Sequence, residues 1–188
     1  MKDLATQPAD GSSSVDDQTA MQKEYDTLTD ELSNIFSNTS FGGTKLLSDT
    51  GKLSTTGGIT FQIGAEDTET MTADFETELV TDVHGAILAA AVGFAADGTA
   101  ATTPAAGTEI DAATANGTIL TLSTAVDAVS ALRSKIGAVS NRLDHVYSNL
   151  SNISNNTKNA TGRIMDVDFA TESSNMTTKQ MLMQAGTA

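Results

Sequence analysis

Lys135-Ile-Gly-Ala-Val-Ser-Asn-Arg-Leu-Asp-His-Val-Tyr-Ser-Asn-Leu-Ser-Asn-Ile-Ser-Asn-Asn156 decides the fold. Its apolar residues are Ile136, Val139, Leu143, Val146, Leu150 and Ile153, at steps of three and four. That alternation is the seam of a coiled-coil-like helix, one narrow apolar stripe on a polar cylinder. Extended backwards, the seam takes in Val129 and Leu132, and more weakly Leu122 and Val126. Val129, Ile136, Leu143 and Leu150 share one heptad position. Leu132, Val139, Val146 and Ile153 share the other. The pattern predicts a helix over roughly Thr118–Asn155. At 1.5 Å per residue it would run ~57 Å, longer than a compact domain of this size is wide. The sequence therefore predicts a mainly α fold with a small β part, an elongated rod of long packed helices plus a β-hairpin region.

The partner for the seam is expected upstream. Met21, Tyr25, Leu28, Leu32 and Ile35 repeat the same spacing, and matched seams favour near-parallel packing. Ser14 reads as the N-cap of that helix, with Asp16 and Asp17 at the positive end of its dipole. Residues 1–7 read as the end of a helix, stopped by Pro8-Ala-Asp-Gly-Ser-Ser-Ser14. Phe41-Gly-Gly43 reads as a turn.

From 51 to 81 the period changes to two. Ile59, Phe61 and Ile63 alternate with polar residues, as do Met71, Ala73 and Phe75. These are two expected strands around a polar turn at Ala65–Glu69, and Lys52–Ser54 reads as a third short strand. His84–Val92 reads as a short helix inside a small-residue insertion. Asp168 reads as the cap of a last helix, whose Phe169, Met176, Met181, Leu182 and Met183 find no partner in the chain. The expected divisions are 1–50, 51–81, 82–117, 118–165 and 166–188.

Composition narrows the function. The 188 residues carry a net charge of −14 and no cysteine. An acidic chain lacks the cationic face that nucleic acid or an anionic membrane demands. Without thiols there is no disulfide, no thiolate metal site and no Cys nucleophile. The two histidines have no partner His at zinc spacing, and both read as surface residues. Asp166 and Asp168 lack a third ligand and read as helix-start carboxylates. No nucleophile elbow or phosphate loop is present. The reading is a non-enzyme with no cofactor and no metal.

The ends carry a resemblance. Leu132-Arg-Ser-Lys-Ile-Gly-Ala-Val-Ser-Asn-Arg-Leu-Asp144 resembles the C-terminal helix of bacterial flagellin. Arg163-Ile-Met-Asp-Val-Asp-Phe-Ala-Thr-Glu172 and Gln180-Met-Leu-Met-Gln-Ala-Gly-Thr-Ala188 resemble that family's C-terminal signature. Lys2-Asp-Leu-Ala-Thr-Gln7, Glu31-Leu-Ser-Asn-Ile35 and Phe41-Gly-Gly-Thr-Lys-Leu-Leu47 resemble its N-terminal part. The resemblance implies a filament subunit, exported unfolded and found extracellularly in the flagellum. It implies other flagellin subunits, an export chaperone and the Toll-like receptor for flagellin as partners. By position, Lys2, Leu4, Glu24 and Arg142 match family contact residues for a receptor or neighbouring subunit. The family's segments before Lys2 and after Ala188 are missing, so the chain is expected to be a truncated rod-domain piece, monomeric by itself. Two alternatives stay open at this stage: a hook–filament junction protein, and a fragment acting chiefly as a receptor ligand.

Overall fold

A computed structural model describes residues 1–95, 107–166 and 168–187. The chain divides into two compact units, Met1–Arg142 and Leu143–Ala188. The helices are α1 (Lys2–Thr6), α2 (Val15–Asn38), α3 (Gly85–Ala90), α4 (Ala115–Met165) and α5 (Phe169–Thr187). Two hairpins lie between α2 and α3: β1 (Ser40–Phe41) with β2 (Thr44–Lys45), and β3 (Ile59–Gln62) with β4 (Thr70–Ala73). The fold is mainly α with a small antiparallel β part.

Local chemistry explains the boundaries. The Asp17 amide donates to Ser14 Oγ at 3.2 Å, and the Ser14 amide donates to the Asp17 carboxylate at 3.3 Å. This reciprocal box starts α2 at Val15. Gly42 and Gly43 both have positive φ, 58° and 81°, which a two-residue hairpin turn needs to match strand twist. In the second hairpin Ile59 faces Ala73 and Phe61 faces Met71. Met71 and Ala73 are buried, and Phe61 packs against the core. The turn between these strands is held by Gln62, whose amide donates to the carbonyls of Gly64 and Glu66.

Four expectations change. Lys52–Ser54 is a 3-10 turn rather than a strand: Ser54 N donates to Gly51 O, three residues back, and Leu53 N to Leu46 O, so no strand partner is paired among the described residues. The short helix expected at His84–Val92 starts earlier and ends earlier. A π-helical stretch, Thr77–His84, leads into α3. Leu79, Val83, Ile87 and Ala90, at helical spacing, are its buried face. Within the expected hairpin region 51–81 the second strand ends at Ala73 and the π-helical stretch begins at Thr77. The insertion expected over 82–117 lies partly outside the described residues.

The third change is in α2. Tyr25 is buried, and Met21 and Leu32 pack against the core, but Leu28 and Ile35 turn outward, 38% and 51% exposed. The buried face runs through Gln22, Tyr25, Thr29, Ser33 and Phe36. Thr29 and Ser33 bury their hydroxyls because each donates to the carbonyl four residues back, at 3.0 Å. Phe36 then meets His84 and Phe94 edge-on, with ring centroids 5.3 and 5.5 Å away. The fourth change is His84 itself. It is buried, not a surface residue, and its Nε2 lies 2.9 Å from the Leu47 carbonyl.

The core of the first unit gathers Tyr25, Phe36, Phe75, Leu79, Val83, Ile87, Phe94 and Ile110 with Leu122, Ala125 and Leu132 of α4. The Tyr25 hydroxyl donates to the Ala90 carbonyl at 2.6 Å, tying α2 to the end of α3. Helix α4 is longer than Thr118–Asn155 at both ends. Asp111 starts it by accepting the amides of Ala113 and Thr114. Its last turns are rich in Asn, Ser and Thr, weak helix formers whose sequence signal is faint.

Candidate functional site

Sequence gives a candidate interaction surface rather than a reaction centre, and its residues are spread out. Lys2 is exposed, and its ammonium donates to Ser123 Oγ of α4 at 2.8 Å. Leu4 packs partly against the core. Glu24 and Arg142 are exposed on α2 and α4. Arg142 lies about 28 Å along α4 from Ser123, at 1.5 Å per residue, so Lys2 and Arg142 are not one patch. The four residues do not converge on a shared pocket.

The α4 seam divides by burial. Leu132 is buried, and Val129 and Val139 pack against the core. Ile136 is 38% exposed. In the second unit Leu143 and Val146 are half-buried, and Leu150 and Ile153 are 37% and 53% exposed. The seam is thus covered toward its start and open toward its end.

Beyond Val146 the described apolar residues of the second unit are exposed, and α5 buries none of its residues. Phe169, Met176 and Met183 stand seven residues apart and so share one face of α5. Each is more than half exposed, as are Met181, Leu182, Ile164 and Met165. Asp168 caps this helix. It accepts from the Ala170 amide and the Thr171 hydroxyl at 3.1 and 3.0 Å, and hydrogen bonds from Thr171 hold its carboxyl below the usual range.

Two features were not foreseen. The first unit has an apolar groove of about 480 Å³, bordered by Leu32, Phe36, Ile87, Leu122, Val126 and Val129, with Lys2 and Arg133 at its charged positions. It comes from residues scattered over four helices, so no local pattern announces it. The other is the Lys135–Glu78 ion pair at 2.5 Å, which joins the π-helical stretch to α4. The Lys135 hydrogen bond lowers the Glu78 pKa, and the same ammonium lies 5.8 Å from the Phe75 ring centroid. An i, i+57 pairing leaves no sequence signature.

Among the described residues, no three His, Cys, Asp or Glu side chains gather to hold a metal ion. Among them, too, no helix is long and apolar enough to cross a membrane. The surface can take part in packing against other helices: it offers apolar stripes and hydroxyl or amide faces.

Comparison with known proteins finds a match at both ends. Residues 1–52 match the bacterial flagellin N-terminal helical region, and residues 119–188 match the bacterial flagellin C-terminal helical region. Flagellin of Halalkalibacterium halodurans is 31% identical over 188 residues, all of this chain and 61% of the relative. Flagellin of Bacillus subtilis (strain 168) is 35% identical over 179 residues, 90% of this chain and 58% of the relative. The chain therefore spans about three fifths of the length of these two relatives. A second Bacillus subtilis protein, the flagellin-family YvzB, is 36% identical over 163 residues, 87% of this chain and 89% of that protein. With both helical regions matched in order and the similarity running through the hairpins between them, the chain belongs to the bacterial flagellin family, a family of structural proteins.

Proposed function

We propose that this chain is the packing core of a flagellar filament subunit, exported from the cell and serving motility. The observation that carries the reading is the pairing of two flagellin helical regions with a second unit whose apolar stripes lie uncovered. A filament supplies the missing cover: exposed helix faces bury against neighbouring copies, and a head-to-tail contact that does not close propagates as a helix. The work is mechanical, so the chemistry needed is burial and hydrogen bonding rather than a reactive group. Deleting the gene and examining the cells by electron microscopy tests this. Loss of filament protein carrying this sequence, restored by the gene on a plasmid, is the expected result. Filaments unchanged in composition and abundance overturn it.

The same reading extends to finer partners. An export chaperone would engage the chain before assembly, and the Toll-like receptor for flagellin would draw its contacts from the separate positions Lys2, Leu4, Glu24 and Arg142. The exposure of Lys2, Glu24 and Arg142 supports contact by an outside partner, whereas Leu4 is partly engaged in the core. Receptor-reporter cells treated with the chain and with its Glu24→Ala and Arg142→Ala variants test the second partner. Equal responses to all three remove these two residues from the proposed contact.

A further inference from the structure

The chain has no cysteine, so its seven methionines hold all of its sulfur. They are unevenly placed. Met71 is 3% exposed on β4, and Met1 and Met21 pack against the core of the first unit. Met165, Met176, Met181 and Met183 all fall in the second unit, and they are 72%, 58%, 66% and 67% exposed. Four thioethers therefore lie within 19 residues on helix surface, each more than half exposed. Exposed thioethers are the sulfur groups that two-electron oxidants reach first.

We propose that Met165, Met176, Met181 and Met183 form an oxidant-reactive modification site, converted to sulfoxides by hydrogen peroxide while Met71 is spared. In each event the thioether sulfur attacks one peroxide oxygen. The S–O bond forms and the O–O bond breaks. The departing hydroxide takes up the remaining proton and leaves as water. Sulfur is oxidised by two electrons and peroxide is reduced.

The placement gives the modification an effect. Met176 and Met183 supply two of the three residues of the Phe169–Met176–Met183 stripe. A sulfoxide is polar and hydrogen-bonding, so oxidation replaces two thirds of that apolar line with polar groups. A soft-metal role for the same sulfurs does not fit the helix. Met181 and Met183 point about 200° apart, and Met176 and Met183 are separated by about 10 Å along the axis. Resting on the filament reading, one consequence follows: burial of the stripe in an assembly and its oxidation exclude one another, so oxidised subunits add poorly.

The test uses the folded chain alone, so its outcome does not depend on that reading. The chain is treated with hydrogen peroxide in native buffer, and its peptides are mapped by mass spectrometry over time. Oxygen addition at all four second-unit methionines is expected, with Met71 slower by a factor on the order of ten or more until denaturant is added. Met71 reacting as fast as Met176 in native buffer overturns the proposal, and so does protection of the four. Retention on a hydrophobic-interaction column gives the second reading. It should fall on oxidation of the native sequence and stay constant for the Met165→Leu, Met176→Leu, Met181→Leu, Met183→Leu chain. Unchanged retention of the oxidised native chain, or an equal fall in the variant, refutes the effect on the stripe.

Discussion

Tyr25→Phe isolates one buried hydrogen bond. The ring of Tyr25 is fully enclosed, and its hydroxyl donates to the Ala90 carbonyl at 2.6 Å, where Ala90 is also fully buried. Phenylalanine keeps the ring and its packing, so the cavity left is the size of one oxygen. What changes is that the Ala90 carbonyl loses its phenol donor inside the core. Leaving a buried acceptor unpaired costs about 1–3 kcal/mol, more than the net worth of an ordinary hydrogen bond. With a urea slope of about 2 kcal/mol/M, the unfolding midpoint should fall by roughly 0.5–1.5 M at unchanged slope. Circular dichroism at helical wavelengths follows the transition. The chain's other tyrosine is the control: Tyr147 is 77% exposed, and Tyr147→Phe should stay within about 0.5 kcal/mol of the parent. Equal midpoints for Tyr25→Phe, Tyr147→Phe and the parent would refute the docking of α2 on α3 through this bond.

Three further outcomes follow from burial. Leu132 is 6% exposed and Leu150 is 37% exposed, so Leu132→Asp should destabilise by several kcal/mol, and Leu150→Asp by about 0.5 kcal/mol or less, in thermal melts. Burial lowers the pKa of His84 from its usual 6.5, against the Leu47 carbonyl bond and the Asp49 charge, which raise it. The folded state therefore resists protonation. Stability from this group is full above pH 6.5 and declines as pH falls through the lowered folded value. Urea midpoints measured from pH 7.5 to 5 should drop, with a shallower slope for His84→Gln. Amide hydrogen exchange should be slow around Leu122–Leu132 and fast over 150–161 and 169–187, where side chains are exposed, and uniform protection along α4 would contradict the burial pattern.

The sequence made the long helix visible because Val129–Ile153 repeats apolar residues strictly enough to exclude a strand. The two strands showed themselves by alternation, and Gly42-Gly43 by the backbone freedom a tight turn needs. Other features were hidden for physical reasons. In α2 the helix buries Thr29 and Ser33, whose hydroxyls are satisfied by their own backbone, so an apolar count chose Leu28 and Ile35 instead. His84 resembles a surface residue in sequence, yet the rings of Phe36 and Phe94 and the Leu47 carbonyl make it a core residue. The π-helical stretch was masked because Leu79 and Val83 follow a β-patterned run without a turn signal between them. The candidate surface was less legible still. Periodicity marked the seam but could not say that its cover ends near Arg142. Lys2, Leu4, Glu24 and Arg142 came from family resemblance, and the fold does not gather them into one site.

The proposal that this chain packs into a filament is most directly tested by immunogold electron microscopy. Antibodies raised against residues 107–142 would be applied to intact flagella of the bacterium that makes the protein. Gold along the whole filament is predicted, with none on cells lacking the gene. Gold confined to the junction at the filament base, or absent from filaments of cells that express the chain, would contradict it.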